Sequence, residues 1–244
     1  SQYQVTYKVL KEVAEGDEDQ QEIQIVAAPN TIIFPLLEVA DKLKMRVRAI
    51  NITSDAITNI FSIENEIAIT SGEDIMAIDI GGKSTTVTIV SRGKGVLNRD
   101  IPFGLDSINE LLVKEFGSSN PEMIEEFKVK YAGIYEEDAE VAIYSHYISS
   151  ILKPMVQYQL ISGIKRFLQF HFSRSKTNNI EKIHIVGGGA YLRDIDKYLT
   201  HVLDIPCALG VELNPNKVKF PAEFLEESAY FINTLGLMSD SRRW

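Results

Sequence analysis

The stretch AIDIGGKSTTVTIV, residues 77–90, constrains the fold of this chain more strongly than any other segment. It starts as an apolar strand that ends on the ionisable Asp79, turns through Gly81 and Gly82, and resumes as a strand in which threonine alternates with aliphatic residues. Because glycine lacks a Cβ atom, the backbone N–H groups of such a turn can approach an anion closely. The pattern therefore predicts a strand-turn-strand unit that admits a phosphate group.

The polar residues of this turn extend the prediction. Ser84 or Thr85 can add a hydroxyl donor to the phosphate, and Asp79 can orient a hydrated magnesium ion. A simpler interpretation stays open, in which the segment is only a tight hairpin whose aspartate caps the turn. On the first interpretation Asp79 faces the metal, and the ligand-binding residues are Gly81, Gly82, Lys83, Ser84 and Thr85.

A second glycine cluster, Gly187, Gly188 and Gly189, follows the apolar segment 183–186 and precedes a helical pattern. Bare backbone at this point can pack flat against a planar group such as an adenine ring, with the amides of a helix end nearby. The alternative is a glycine-rich turn that serves only close packing of the strand on the helix. Each glycine costs about 0.5–1 kcal/mol relative to alanine, and this cost favours the binding interpretation.

Several classes of protein and site are excluded. Neither glycine cluster matches G-x-G-x-x-G opening a helix, and G-x-x-x-x-G-K-[ST] does not occur. A net charge of −9, with no face rich in Lys and Arg, argues against nucleic-acid binding. The apolar runs are shorter than the roughly 20 residues of a membrane helix, so no direct membrane insertion is expected. The four histidines lack the spacing of a zinc site and are interpreted as structural or surface residues.

Residues 1–52 are predicted to form a small α+β subdomain with the order β-β-α-β. Strands are expected at 3–10, 22–28 and 46–50, and the acidic stretch EGDEDQQE is expected at the tip of the first hairpin. The helix has an apolar face at 3.6-residue spacing, and it tolerates Pro35 only because this residue is expected in its first turn. The face consists of Ile32, Leu36, Val39, Ala40 and Leu43.

Residues 53–244 are predicted to form a mixed sheet with helices on its faces, and ligands of such sheets gather at the carboxyl ends of the strands. Helix signals include a capping box at Ser107 and Glu110, an N-cap at Asn120 and a kink or break at Pro154. Strands are expected at 75–79, 84–91, 96–101, 183–186 and near 207–211, and helices at 54–61, 107–116, from 120, 138–173, 195–202 and 222–235.

Two long stretches, IMAIDIGGKSTTVTIVSRGKGVLNRDIPFGLDSINELL and IEKIHIVGGGAYLRDIDKYLTHVLDIPCAL, resemble the phosphate-2 and adenosine motifs of actin-like ATPases. The segments YQVTYKVL, IVAAPNTIIFPLLEVADKLKMRVRAINI and INTLGLM resemble further stretches of the FtsA/PilM family, in the same order. The resemblance implies an α/β, actin-like (ribonuclease H-like) fold with a 1C-type subdomain at 1–52 and the second half of the actin core at 53–244.

The same resemblance implies a nucleotide site. ATP is expected with magnesium, Asp79 would hold the metal through water, and Lys165 and Arg166 would border the ribose and adenine. The family tends to carry Glu and Ser where this chain has Gly163 and Phe167, so part of the nucleoside hydrogen bonding is expected to be lost.

The resemblance also indicates that the actin-like fold is incomplete here. The family has another D-x-G hairpin, the phosphate-1 loop, and this chain has no second D-x-G. We therefore expect a segment of a longer ATP-binding protein that by itself binds ATP poorly. It would be at most a weak ATPase, because no residue is a convincing catalytic base.

The resemblance implies partners as well. It points to the cytoplasmic N-terminal tail of PilN, and to further inner-membrane and motor components of the pilus, with the chain held at the inner face of the cell membrane through a partner. Two alternatives stay open. One is a nucleotide-free scaffold similar to the actin-like domain of the secretion protein GspL. The other is a sugar kinase of the same superfamily, which would require a catalytic Asp and a sugar-binding insertion.

Overall fold

A computed structural model describes residues 2–15, 18–63, 65–68, 74–131, 133, 143–174, 179–224 and 227–239. The chain forms two compact units, the first ending at Ile50 and the second beginning at Asn51. The centre of the predicted acidic tip, residues 16–17, and the C-terminal tail, residues 240–244, lie outside the described residues.

The first unit contains a two-stranded antiparallel sheet and one helix. Strand β1 spans Tyr3–Glu15, β2 spans Glu18–Pro29, and α1 spans Asn30–Lys42. Both strands are longer than predicted, because the backbone ladder continues through the acidic stretch as far as the pair of Glu15 and Glu18. Ladder hydrogen bonds join backbone groups, so charged side chains do not end the pairing.

Two other predictions for this unit are wrong. Residues 46–50 form no strand in the described chain, where β1 and β2 pair only with each other. Pro35 is the sixth residue of α1 and therefore lies beyond its first turn. The predicted apolar face of α1 is present as a stripe, but no residue of this helix is buried, and Leu36 is 57% exposed. Helical period predicts which residues share a face, and it does not show that another element covers that face.

The second unit is built on a five-stranded mixed sheet with the order β5-β4-β3-β6-β7. Three consecutive strands form an antiparallel meander, β6 then adds in parallel to β3, and β7 adds in parallel to β6. The strands are β3 (Ile75–Ile80), β4 (Thr85–Ser91), β5 (Lys94–Ile101), β6 (Lys182–Val186) and β7 (Cys207–Leu209). All five strands predicted for this region are present.

Helices cover both faces of this sheet. Strand β3 is buried along its entire length, and successive side chains enter two separate hydrophobic clusters, one containing Met76, Ile78 and Ile80 and the other containing Ile75 and Ala77. The helices are α2 (Thr53–Phe61), α3 (Leu105–Phe116), α4 (Pro121–Tyr131), α5 (Ile143–Met155), α6 (Ser162–Arg174), α7 (Ile195–Leu203) and α8 (Ile232–Met238).

The predicted helix boundaries are correct in part. Asn120 caps α4, since its Oδ1 accepts the Glu122 N–H at 3.0 Å, and Gly117 ends α3 with φ +63°. The capping box at Ser107 is wrong, because α3 begins two residues earlier, after Gly104. A Cβ at Gly104 would lie 2.2 Å from the Gly82 carbonyl oxygen, so close approach of the glycine turn determines where the helix starts.

Two more helical predictions changed in form. After Pro154, α5 passes into a π-helical segment, Val156–Ile161, and then into α6, so the proline is followed by a wider turn rather than a break. The single helix predicted at 222–235 is wrong. Short 3₁₀ turns occupy Ala222–Phe224 and Ser228–Phe231, and α8 begins only at Ile232.

Candidate functional site

The two glycine clusters lie side by side at the carboxyl ends of two inner strands of the sheet. Strands β3 and β6 are parallel neighbours, and Asp79 is paired with Val186, the residue before Gly187. A Cβ built on Gly187 would lie only 2.3 Å from Asp79 Oδ1. Tertiary pairing therefore joins two features that are more than one hundred residues apart in sequence, and it does so at the carboxyl ends of the strands, where ligands of such sheets bind.

Asp79 is a mostly buried carboxylate, and among the described residues one side chain donates a hydrogen bond to it. Its exposure is 8%, and Asn233 Nδ2 of α8 donates to Asp79 Oδ2 at 2.7 Å. Burial raises the pKa of Asp79, and the hydrogen bond from Asn233 opposes this rise. Asn233 was not predicted from the sequence. The only available signal was an amide side chain in the mostly apolar segment INTLGLM, 154 residues from Asp79.

The first glycine turn is held from both sides. The Gly81 N–H donates to the Ser84 carbonyl at 3.0 Å, and the carbonyls of Gly81 and Gly82 accept the N–H groups of Leu105 and Asp106 at 2.9 and 2.8 Å. Within the described residues, the N–H groups of Gly82, Lys83 and Ser84 donate to no backbone carbonyl. Three consecutive amides of this kind can accept an anion, and the side chains of Lys83 and Ser84 beside them are exposed.

Thr85 does not belong with these residues. Its side chain is fully buried, and its hydroxyl donates to the Phe103 carbonyl at 2.8 Å. The prediction that Thr85 offers a hydroxyl to phosphate is therefore wrong, because this hydroxyl already connects β4 to the loop before α3.

The second glycine cluster begins the 3₁₀ turn Gly188–Tyr191. Gly187 has φ +76°, and a Cβ on Gly189 would lie 2.2 Å from Ile80 Cγ2. The close-packing alternative therefore explains these two glycines without a ligand. Gly188 has more room, because the atoms nearest its missing Cβ are Leu105 Cδ1 at 3.0 Å and Tyr230 Cε1 at 3.2 Å.

Lys165 and Arg166 take no part in the hydrogen bonding of the described glycine turns. Both side chains are exposed on α6, and neither forms a hydrogen bond or ion pair with a described residue of the two glycine clusters. The opposite side of α6 is packed: Gly163 and Phe167 are buried, and Ile101 lies against Gly163. The positions at which the family tends to carry Glu and Ser thus face the core in this chain.

The residues present fit a hydrated magnesium ion that is shared with phosphates. Mg²⁺ commonly keeps several waters and uses one or two protein carboxylates together with substrate phosphate oxygens. Asp79 supplies one carboxylate, and the Oδ1 atom of Asn233 is buried without a hydrogen-bond partner. No group of three or more His, Cys, Asp or Glu able to hold a metal occurs in the described parts of the chain, so a dedicated all-protein site is not found there.

A family profile and several solved structures relate this chain to known proteins. The family profile described as type IV pilus assembly protein PilM matches residues 2–223. A solved PilM-PilN type IV pilus biogenesis complex is similar at 20% identity with a TM-score of 0.75, covering 98% of this chain and 67% of that one.

Two further structures share the fold. MreB5 of Spiroplasma citri bound to ADP has 17% identity and a TM-score of 0.61, covering 88% of this chain and 66% of that one. The ethanolamine utilization protein EutJ from Carboxydothermus hydrogenoformans has 15% identity and a TM-score of 0.54, covering 82% and 58%. This chain thus spans about two thirds of the length of the first two structures.

These likenesses confirm the predicted fold class, α/β and actin-like. Within the described residues, no helix combines the length and apolar character needed to cross a bilayer. The division into a 1C-type subdomain and an actin-like core stays a prediction.

Proposed function

The chain belongs to the PilM family of type IV pilus assembly proteins, and from this premise we propose that it acts as an actin-like, ATP-binding subunit that docks the N-terminal tail of PilN. The observation that carries the nucleotide part is the meeting of the two glycine clusters beside Asp79. The PilN part is supported by the similar solved structure, which is a PilM-PilN complex.

The proposed phosphate contacts are made by the first glycine turn. The N–H groups of Gly82, Lys83 and Ser84 would donate to phosphate oxygens, and the Lys83 ammonium would balance their charge. Asp79 would hold water molecules around a magnesium ion, whose chemistry here is neutralisation of the phosphates. The Gly187–Gly189 turn would border the nucleoside, and Lys165 and Arg166 stay candidates for its outer edge.

The assembly role is proposed to lie at the cytoplasmic face of the cell membrane. A short PilN tail would hold the chain there, and further inner-membrane and motor components of the pilus would contact it in the assembled machine. Any hydrolysis is expected to be slow.

Titration with ATP tests the nucleotide part. We expect weak binding that magnesium strengthens, and Asp79→Asn should abolish this strengthening, so that its affinity for ATP with magnesium equals its affinity for ATP in excess EDTA. Asp204→Asn is a matched control. Asp204 is exposed, and asparagine tolerates its φ of +56°. It precedes β7 and therefore lies near the amino ends of the parallel strands, away from Asp79. Equal magnesium dependence in Asp79→Asn and the wild type would contradict the assignment.

A synthetic PilN tail tests the partner separately. Fluorescence anisotropy with the labelled N-terminal peptide should show saturable binding to the chain, and a peptide of the same composition in scrambled order should not bind. Lack of binding by the native peptide, with and without Mg-ATP, would overturn the docking proposal while leaving the nucleotide result intact.

A nucleotide-free scaffold is the second candidate. It is favoured by one observation: the helix face carrying Gly163 and Phe167 is buried against the core and offers a nucleoside no polar side chain at these positions. This candidate predicts that the PilN peptide binds while neither ATP nor ADP produces heat or a spectral change.

A further inference from the structure

One side of helix α6 is an exposed stripe that contains no acidic residue. The buried residues of this helix share the other side, and the exposed ones recur in pairs at four-residue intervals. The α6 stripe consists of Lys165, Arg166, Gln169, Phe170, Ser173 and Arg174. Three of its six residues are cations and one is aromatic, so the stripe presents positive charge and an apolar ring to solvent.

The charge of the α6 stripe is opposite to that of the chain. The net charge is −9, yet residues 143–174 contain four Lys or Arg and no Asp or Glu. The sequence does not reveal the positive patch, because its three cations are spread over ten residues and only the helical turn brings them to one side. Three cations do not form the extended basic face of a nucleic-acid-binding protein. The patch therefore indicates a smaller or more weakly bound anionic partner.

Phe170 gives the α6 stripe a second property. Its side chain is 47% exposed, and the guanidinium carbon of Arg174 lies 5.3 Å from the centre of its ring. An acidic peptide segment would neutralise the cations and leave this ring in water. The headgroup region of an anionic bilayer accepts both groups, because its phosphates attract Lys and Arg and its acyl boundary takes up aromatic rings. The combination favours a membrane over an acidic peptide.

We propose that the α6 stripe contacts an anionic membrane surface. Helix α6 has 13 residues and is therefore about 20 Å long, so cations distributed along one side of it can face a plane together. The contact is peripheral and leaves the packed side of the helix unchanged. It goes beyond the proposed function and rests on one part of it: a PilN tail would already hold the chain at the membrane, which raises the effective concentration for a weak contact.

Vesicle cosedimentation, without nucleotide and without PilN peptide, tests the contact. We expect the chain to bind vesicles of phosphatidylcholine and phosphatidylglycerol in equal parts, to bind less as salt is raised, and not to bind phosphatidylcholine alone. Lys165→Gln/Arg174→Gln should weaken binding about thirtyfold, because each cation near such a surface contributes about fivefold. The control Lys114→Gln/Lys219→Gln changes two exposed lysines outside α6, gives the same net charge, and should stay within twofold of the wild type.

Tryptophan fluorescence shows which part of the chain meets the bilayer. In vesicles with brominated acyl chains, the fluorescence of Phe170→Trp should be quenched. The matched control is Phe224→Trp, because Phe224 lies outside α6 and is similarly exposed, 41% against 47%. Its fluorescence should be quenched no more than that of the wild type, which gives the contribution of Trp244.

Three results would overturn the proposal. They are equal binding to anionic and neutral vesicles, equal quenching at positions 170 and 224, and capture of the chain by poly-glutamate at a lower concentration than by anionic vesicles. The last result would assign the α6 stripe to an acidic protein segment. Failure of the membrane contact leaves PilN docking intact, because the peptide titration contains no lipid. A PilN peptide that does not bind likewise leaves the vesicle result unchanged.

Discussion

Asp79 is the penultimate residue of β3, a strand in which every residue is buried, and a carboxylate in that position is costly to keep charged. Asn233 offsets part of this cost by donating a hydrogen bond to the carboxylate, and the missing Cβ of Gly187 leaves room for it. The Asn233 Oδ1 atom is itself buried without a partner. A pair of polar side chains that destabilises the folded chain is typical of a binding site, where a ligand later supplies the missing interactions.

Asp79→Asn is expected to stabilise the chain at neutral pH. Because the pKa of Asp79 is raised in the folded state, its favourable contribution is complete below the ordinary carboxyl pKa and is lost as pH rises through the folded value. Asparagine can still accept the Asn233 hydrogen bond and has no charge to bury. The gain in free energy of unfolding over the wild type, measured by urea denaturation, should therefore be larger at pH 7 than at pH 4. A gain that is equal at both pH values would show that Asp79 is not destabilised by burial.

Helices α2 and α8 pack so closely that a glycine is required between them. A Cβ on Gly236 would lie 2.0 Å from the Ala56 carbonyl oxygen, and Asn59 Nδ2 donates to the Gly236 carbonyl at 3.0 Å. The same helix α8 carries Asn233, so this contact also helps to position the Asn233 amide beside Asp79. Glycine destabilises a helix by about 1 kcal/mol relative to alanine. At position 236 the missing Cβ allows α2 and α8 to pack closely.

Gly236→Ala is expected to destabilise the chain by about 1–3 kcal/mol, because the new methyl group meets rigid backbone. Gly163→Ala is the matched change in another helix. There the neighbour is the Ile101 side chain at 3.0 Å, which can shift, and the helix gains propensity. Chemical denaturation should place Gly163→Ala within about 1 kcal/mol of the wild type. Equal losses in the two variants would contradict the backbone contact.

The two units differ in how much of their apolar surface is buried. The second unit has extensive clusters of buried side chains around its sheet, whereas the first has a two-stranded sheet and a helix without a buried residue. Alternate residues of its hairpin expose large apolar groups, among them Tyr7 at 69% and Ile25 at 62%, which are paired across the strands. Two-stranded hairpins are marginally stable in water, so the first unit is expected to open more readily.

Hydrogen exchange measures this difference. Amides of β1, β2 and α1 should exchange roughly a hundredfold faster than those of β3 and β6 under conditions in which opening is at equilibrium. Mass spectrometry of peptic fragments resolves the two groups, and β4 serves as an internal reference for the second sheet. Equal protection of β1 and β3 would show that the first unit opens only with the entire chain.

The sequence alone determined the five strands of the second unit, most helices and the residue types of the candidate site, because the hydrophobic period and the glycine and asparagine signals act within a few residues. It placed Asp79 and both glycine clusters at strand ends. Prediction failed where contacts between distant residues determine the structure. Helix α3 starts after Gly104, which lies close to the Gly82 carbonyl, and the Thr85 hydroxyl donates to the Phe103 carbonyl. Asn233 joins the site only through tertiary packing, which brings Gly187 and residues 229–233 to the end of β3. No local pattern encodes such contacts, since they depend on which surfaces meet after the helices cover the sheet.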